Sequence, residues 1–80
     1  MSSTTTETAA PMIRDIFRRV LETDDVADDT DFFDAGGDSL LATRVLSAIA
    51  RELDVELTFD DFVIAPHPGA LATQVESHRA

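Results

Sequence analysis

The sequence has 80 residues, no cysteine and a formal net charge of −10. At that length it is one small domain. Disulfides and thiolate metal sites are out of reach, and so much acid would be repelled by nucleic acid or an anionic membrane surface. The acidity favours partners with basic docking patches, although solubility alone accounts for the same number. Hydrophobic residues make up 44% of the chain, enough for a modest core, and all six basic residues are arginine, a weak compositional pointer to a GC-rich bacterial genome. The N-terminus has no positive n-region and no apolar h-region, and every apolar run is far too short to span a bilayer. A cytoplasmic monomer without membrane association is expected.

Residues 1–9 are polar and low in complexity, and read as a disordered tail ahead of a domain over 10–80. Pro11 suits the first turn of a helix. Met12, Ile13, Ile16, Phe17, Val20 and Leu21 then recur at helical spacing, with Arg14, Asp15, Arg18, Arg19 and Glu22 opposite. An amphipathic helix of about three turns follows from that pattern.

Residues 24–38 form a long acidic connection. Starting a calcium loop at Asp29 puts Phe33 at the fifth ligand position and Asp34 where glycine is required, so the EF-hand pattern fails. A solvated loop of this length needs pinning, and Val26, Phe32 and Phe33 are its candidate anchors. It ends in Gly36-Gly37-Asp38-Ser39. The two glycines can adopt backbone angles closed to other residues and leave space beside Ser39. Either Asp38 or Ser39 is a natural N-cap for the helix that follows. A phosphate ester on Ser39 would lie in the favourable field of that helix N-terminus.

The second helix spans 39–53. At 100° per residue, Leu41, Ala42, Val45, Leu46, Ala48, Ile49 and Leu53 share one broad face. Thr43, Arg44, Ser47 and Arg51 share the other, and Leu40 falls with them. An apolar side chain outward and beside Ser39 reads as a docking knob. Thr43, Arg44 and Ser47 are the polar remainder of that candidate docking face, and Arg51 continues it.

Val55, Leu57 and Phe59 alternate with polar residues, but a lone short strand has no partner here, so an extended link is expected. Thr58 and Asp61 have capping-box spacing. A short third helix over about 59–64 then stops before Pro66. Pro68 opens a last helix whose inner face holds Leu71, Ala72 and Val75. His67 stands at its N-cap, a poor residue for that position.

Phe32 to Arg44, Phe-Phe-Asp-Ala-Gly-Gly-Asp-Ser-Leu-Leu-Ala-Thr-Arg, resembles the core of the phosphopantetheine-dependent carrier proteins. The likeness is closest to the peptidyl, aminoacyl or aryl carriers of nonribosomal peptide synthesis, and extends over roughly residues 11–80. Phe62-Val63-Ile64-Ala65-Pro66 followed by Leu71-Ala72 adds to it; such carriers often have Thr where this chain has His67. The resemblance implies an all-α fold: a small four-helix bundle with three main helices, one short third helix and a long first loop. It implies that Ser39 is the attachment point of 4′-phosphopantetheine, with Gly36, Gly37 and Asp38 forming the attachment loop, and that Phe33 packs into the core to hold that loop. The implied partners are a phosphopantetheinyl transferase with coenzyme A, an adenylation or acyl-activating enzyme, and condensation, tailoring or thioesterase enzymes. The implied chain has no catalytic group and no metal of its own. Asp38 before the serine keeps an acyl carrier of polyketide or fatty-acid synthesis as the alternative. An unmodified helical interaction module is the alternative of a different class. Met1 and the short stretch after the last helix have the look of a free-standing protein, with an excised synthetase module as the other reading.

Gly37-Asp38-Ser39-Leu40 also spells the nucleophile block of a serine esterase and lipase family. That chemistry needs a base and an oxyanion hole, and the family has Asp-x-x-His near the C-terminus. The histidines here, His67 and His78, are preceded at that distance by Ile64 and Val75. A chain this short also lacks the large sheet such enzymes use.

Overall fold

The computed structural model describes residues 5–79. They form four helices: α1 (Thr5–Leu21), α2 (Ser39–Leu53), α3 (Phe59–Ile64) and α4 (Pro68–Arg79), with no strand among the described residues. The last three begin where the sequence predicts. Helix α1 packs against both α2 and α4, and the short α3 packs on α2.

The start of α1 corrects the sequence reading. The helix runs for 17 residues, with Pro11 inside it rather than in its first turn. Residues 5–9 therefore belong to a helix and not to a disordered tail; the remainder of the expected tail, 1–4, lies outside the described residues. Ala9 is fully buried in the core and Ala10 packs against it, which gives the chain upstream of Pro11 apolar contacts to hold it helical. Pro11 itself is exposed, and its missing N–H removes one bond from the helical ladder.

Helix α1 stops at Glu22, whose φ of 57° is left-handed. The Thr23 N–H donates to the Arg18 carbonyl at 3.2 Å, the long-range bond of a Schellman ending. Arg18 then turns to the loop, donating from its Nη2 to the Val26 carbonyl at 3.3 Å. Arg14 pairs with Asp28. Two backbone bonds tie the same loop to the α3–α4 junction: Phe32 N–H to the Pro66 carbonyl at 2.8 Å and Gly69 N–H to the Asp28 carbonyl at 2.9 Å.

The core is built around aromatic rings. Phe17, Phe32 and Phe62 are fully buried. Phe32 meets Phe17 edge-on at a centroid distance of 5.0 Å and Phe62 at 5.1 Å, the edge-to-face geometry that aromatic quadrupoles favour. Ile13, Ile16, Val45, Ile49, Leu71 and Val75 fill the space around them. Val55 and Leu57 are buried although they lie in an extended link, so the alternation seen in the sequence records one inward face without a sheet. Thr58 and Asp61 complete the predicted capping box.

The loop anchor is the second correction. Phe33, expected to be the ring in the core, is only partly buried and packs at its margin. Its neighbour Phe32 has no exposed surface. The two rings stand at 89° to one another, and the backbone bond to Pro66 turns Phe32 inward.

Candidate functional site

The loop ahead of Ser39 is held from both ends. Asp31 folds it locally: its Oδ1 accepts from the N–H groups of Phe33 at 2.9 Å and Asp34 at 3.1 Å, an Asx arrangement that substitutes for a backbone turn. The Gly37 N–H then donates to the Phe32 carbonyl at 2.9 Å. The position of Ser39 is thus set by the same residue that anchors the core.

The two glycines serve different ends. Gly36 has φ of +106°, a conformation for which glycine is the residue without steric cost. Gly37 has no such φ. A Cβ there would fall onto the Phe32 ring, with Cζ, the third-nearest atom, only 2.8 Å away. The space expected to stay open beside Ser39 is therefore occupied on the Gly37 side by that ring.

Asp38 is the N-cap of α2. Its backbone is extended (φ −142°, ψ −175°) and its Oδ1 accepts from the Leu41 N–H at 2.9 Å. The Asp38 carbonyl takes the first helical bond, from the Ala42 N–H at 2.8 Å. This decides between the two capping candidates. Ser39 is the first residue of the helix, exposed, and its hydroxyl is not spent on capping. The four residues Gly36, Gly37, Asp38 and Ser39 thus present one alcohol at the positive end of a 15-residue helix. An anionic ester fits there: Ser39 Oγ is reachable, and the N-terminal dipole favours negative charge. Asp38 brings a negative charge of its own to that turn, partly spent on the Leu41 N–H.

The helical phase expected for α2 holds. Ala42, Val45, Ala48, Ile49 and Leu53 are buried, while Leu41 and Leu46 pack against the core from its edge. Leu40 is 65% exposed. Thr43, Arg44, Ser47 and Arg51 are exposed as well, and the Thr43 hydroxyl donates to the Leu40 carbonyl at 2.6 Å. So Leu40, Thr43, Arg44 and Ser47 share one outward surface running back from Ser39.

Sequence reasoning missed the exposed side of α3. Phe59, Val63 and Ile64 are exposed, Ile64 by 79%, on the helix that packs against α2. Phe59 and Val63 are four residues apart, hence on one face, and Phe62 points the other way into the core. That spacing was visible in the sequence, but six residues are too few for a wheel to say which face is inner. Of the two histidines, His67 gives its backbone carbonyl to the Leu71 N–H at 3.0 Å while its ring Nδ1 is buried without a hydrogen-bond partner. His78 Nδ1 lies 2.9 Å from the Gln74 carbonyl of its own helix. His78 is thus occupied within α4.

Residues 12–75 match the family described as "Phosphopantetheine attachment site". The chain is 42% identical over 62 residues to a dimodular nonribosomal peptide synthase of Bacillus subtilis, a match covering 78% of this chain but only 3% of that protein's length. Among solved structures, its fold is similar to one from the complex of the phosphopantetheine transferase Sfp with coenzyme A and a peptidyl carrier protein, with a TM-score of 0.83 and 30% identity over 86% of this chain and 90% of the other. It is similar also to an active-site mutant of a peptidyl carrier protein, with a TM-score of 0.87 and 29% identity over 91% of this chain and 81% of that one. A family match running from α1 into α4, across the exposed Ser39 at the start of α2, places the chain: it belongs to the phosphopantetheine-attachment family of carrier proteins.

Proposed function

We propose that this chain carries aminoacyl, peptidyl or aryl intermediates of nonribosomal peptide synthesis, with Ser39 as the attachment point of 4′-phosphopantetheine. The observation that carries the reading is Ser39 itself: exposed, first in α2, and relieved of capping by Asp38. The bound group supplies the thiol, absent from a chain without cysteine, on which acyl cargo is held as a thioester.

The protein's own residues do the positioning. Phe32, held under Gly37, fixes the loop against the core. Gly36 makes the turn, and Asp38 fixes the first turn of α2 with Ser39 exposed at its start. Leu40, Thr43, Arg44 and Ser47 offer enzymes a surface next to the serine. The chain provides no catalytic group: Ser39 is the substrate of a phosphopantetheinyl transferase that takes the group from coenzyme A, as the pairing named for the similar Sfp complex supports. An adenylation or acyl-activating enzyme then loads the thiol, and condensation, tailoring or thioesterase enzymes receive the cargo. Likeness to peptidyl carriers at both sequence and structure level favours this over acyl carriage in polyketide or fatty-acid synthesis. Among the described residues no helix is long and apolar enough to cross a membrane. A chain needing no disulfide suits the cytoplasm.

The missing cysteine makes the test clean. Unmodified protein has no titratable thiol. Incubation with coenzyme A and a promiscuous transferase, followed by removal of small molecules, should leave one thiol per chain. That thiol should accept an aminoacyl group from a cognate adenylation enzyme. Protein that still has no thiol after such treatment would refute the carrier reading.

A further inference from the structure

The arginines are not equivalent. Among the described residues, ion pairs engage Arg14 with Asp28, Arg18 with Asp15 and Arg19 with Glu52. Arg44 and Arg51 make none with the described residues, in a chain that holds 16 acidic residues. Both lie on the outward face of α2, seven residues apart, and so about 10.5 Å apart along the axis. No acid occurs in α2 before Glu52, and Arg19 reaches across from α1 to hold both oxygens of that carboxylate, at 3.0 and 2.9 Å.

These residues frame a groove between α1 and α2 of about 400 Å³, lined by Arg19, Val20, Thr43, Arg44, Ser47, Ala48 and Arg51. Its floor is apolar where Val20 and Ala48 pack, and its α2 wall carries the two unpaired guanidinium groups. Leu40 lies on the same helix face, about 6 Å before Arg44. In a molecule whose net charge is −10, the outward face of α2 beyond Asp38 and Ser39 exposes a leucine and two guanidinium groups.

We propose that the groove docks a carboxylate-bearing segment of a partner protein, with an apolar side chain against Leu40 and Glu or Asp side chains against Arg44 and Arg51. The inference deepens the carrier reading by naming the chemistry of the partner surface; its test uses unmodified protein, so it can fail without the attachment at Ser39 failing, and the reverse. The reason is charge complementarity. A guanidinium offers two parallel N–H donors to a carboxylate, and the aliphatic stem of a glutamate suits the Val20–Ala48 floor. A basic partner segment, which net charge alone would favour, meets repulsion at this face. The long-range field and the docking face therefore select for different things: acid elsewhere on the carrier draws in a generally basic partner, and Arg44 and Arg51 fix its orientation through its carboxylates.

The test is a titration of 15N-labelled unmodified protein, followed by amide chemical shifts, with three probes: hexaglutamate, hexalysine and inorganic pyrophosphate. Hexaglutamate should move Thr43, Arg44, Ser47 and Arg51 in a saturable way, and weaken as salt rises to about 0.5 M. Arg44→Ala/Arg51→Ala, both exposed positions, should stay folded and lose at least tenfold in affinity. Arg44→Glu/Arg51→Glu should transfer the response at this face to hexalysine. Silence of these amides toward hexaglutamate overturns the proposal. So does an equal response to pyrophosphate, which would make the groove a small-anion site. Shifts at the same residues that grow with the concentration of the protein alone would make the occupant a second copy and overturn it likewise.

Discussion

Phe32→Ala tests the link between core and site. The ring is fully buried and makes edge-on contacts with Phe17 at 5.0 Å and Phe62 at 5.1 Å. Truncating a buried phenylalanine costs about 3–5 kcal/mol, because lost transfer energy and a residual cavity add. Against the roughly 4–12 kcal/mol expected for a domain of this length, the variant should be barely stable. At about 4–8 °C per kcal/mol, its melting temperature should fall by at least about 12 °C. Phe33→Ala provides the control. That ring is partly buried at the core margin, so its removal should cost about 1–2 kcal/mol. Thermal melts and urea titrations of both variants, with m-values checked for two-state behaviour, give the comparison. A Phe33→Ala loss equal to or larger than that of Phe32→Ala would refute the assignment of Phe32 as the anchor.

Further expectations use the same logic. Asp38→Ala should cost about 1 kcal/mol as a lost N-cap, and Ser39→Ala almost nothing, a contrast readable by urea denaturation. Leu40→Ala should keep a near wild-type melting temperature but slow modification or loading about tenfold at limiting protein concentration, whereas Leu41→Ala should lose stability and, once folded, load normally. The Thr58 backbone N–H and hydroxyl hold the Asp61 carboxyl below the usual carboxylate range. A carboxyl depressed on folding stabilises above its unfolded pKa and loses that contribution as pH falls through its folded one, so Asp61→Asn should flatten part of the acid-unfolding limb below about pH 4, measured by circular dichroism.

Much of this fold was legible because its signals are local. Prolines, the Thr58–Asp61 box and the apolar stripe of α2 each act within one or two turns, and they set the starts of α2, α3 and α4. The start of α1 is different in kind. Nothing local distinguishes the Thr-Glu-Thr-Ala stretch from a tail, and its helix depends on Ala9 reaching a core assembled from distant residues. Phe32 and Phe33 are adjacent in an aperiodic loop, so no spacing could say which faces inward; the bond from the Phe32 N–H to the Pro66 carbonyl, 34 residues away, decides it. The role of Gly37 was hidden for the same reason, since the atoms that forbid a side chain there belong to Phe32. Ser39 was legible as a modification candidate through its motif, and Leu40 as an exposed residue through helical phase. The pairing of three arginines and not of Arg44 and Arg51 required the positions of Asp28 and Glu52, which only the folded chain supplies.

The most direct measurement is intact mass followed by peptide mapping after incubation with coenzyme A and a promiscuous phosphopantetheinyl transferase. The account predicts that wild-type protein gains one phosphopantetheinyl group, mapped to Ser39, and that folded Ser39→Ala gains none. Modification of Ser39→Ala, or mapping to any other serine, would contradict it.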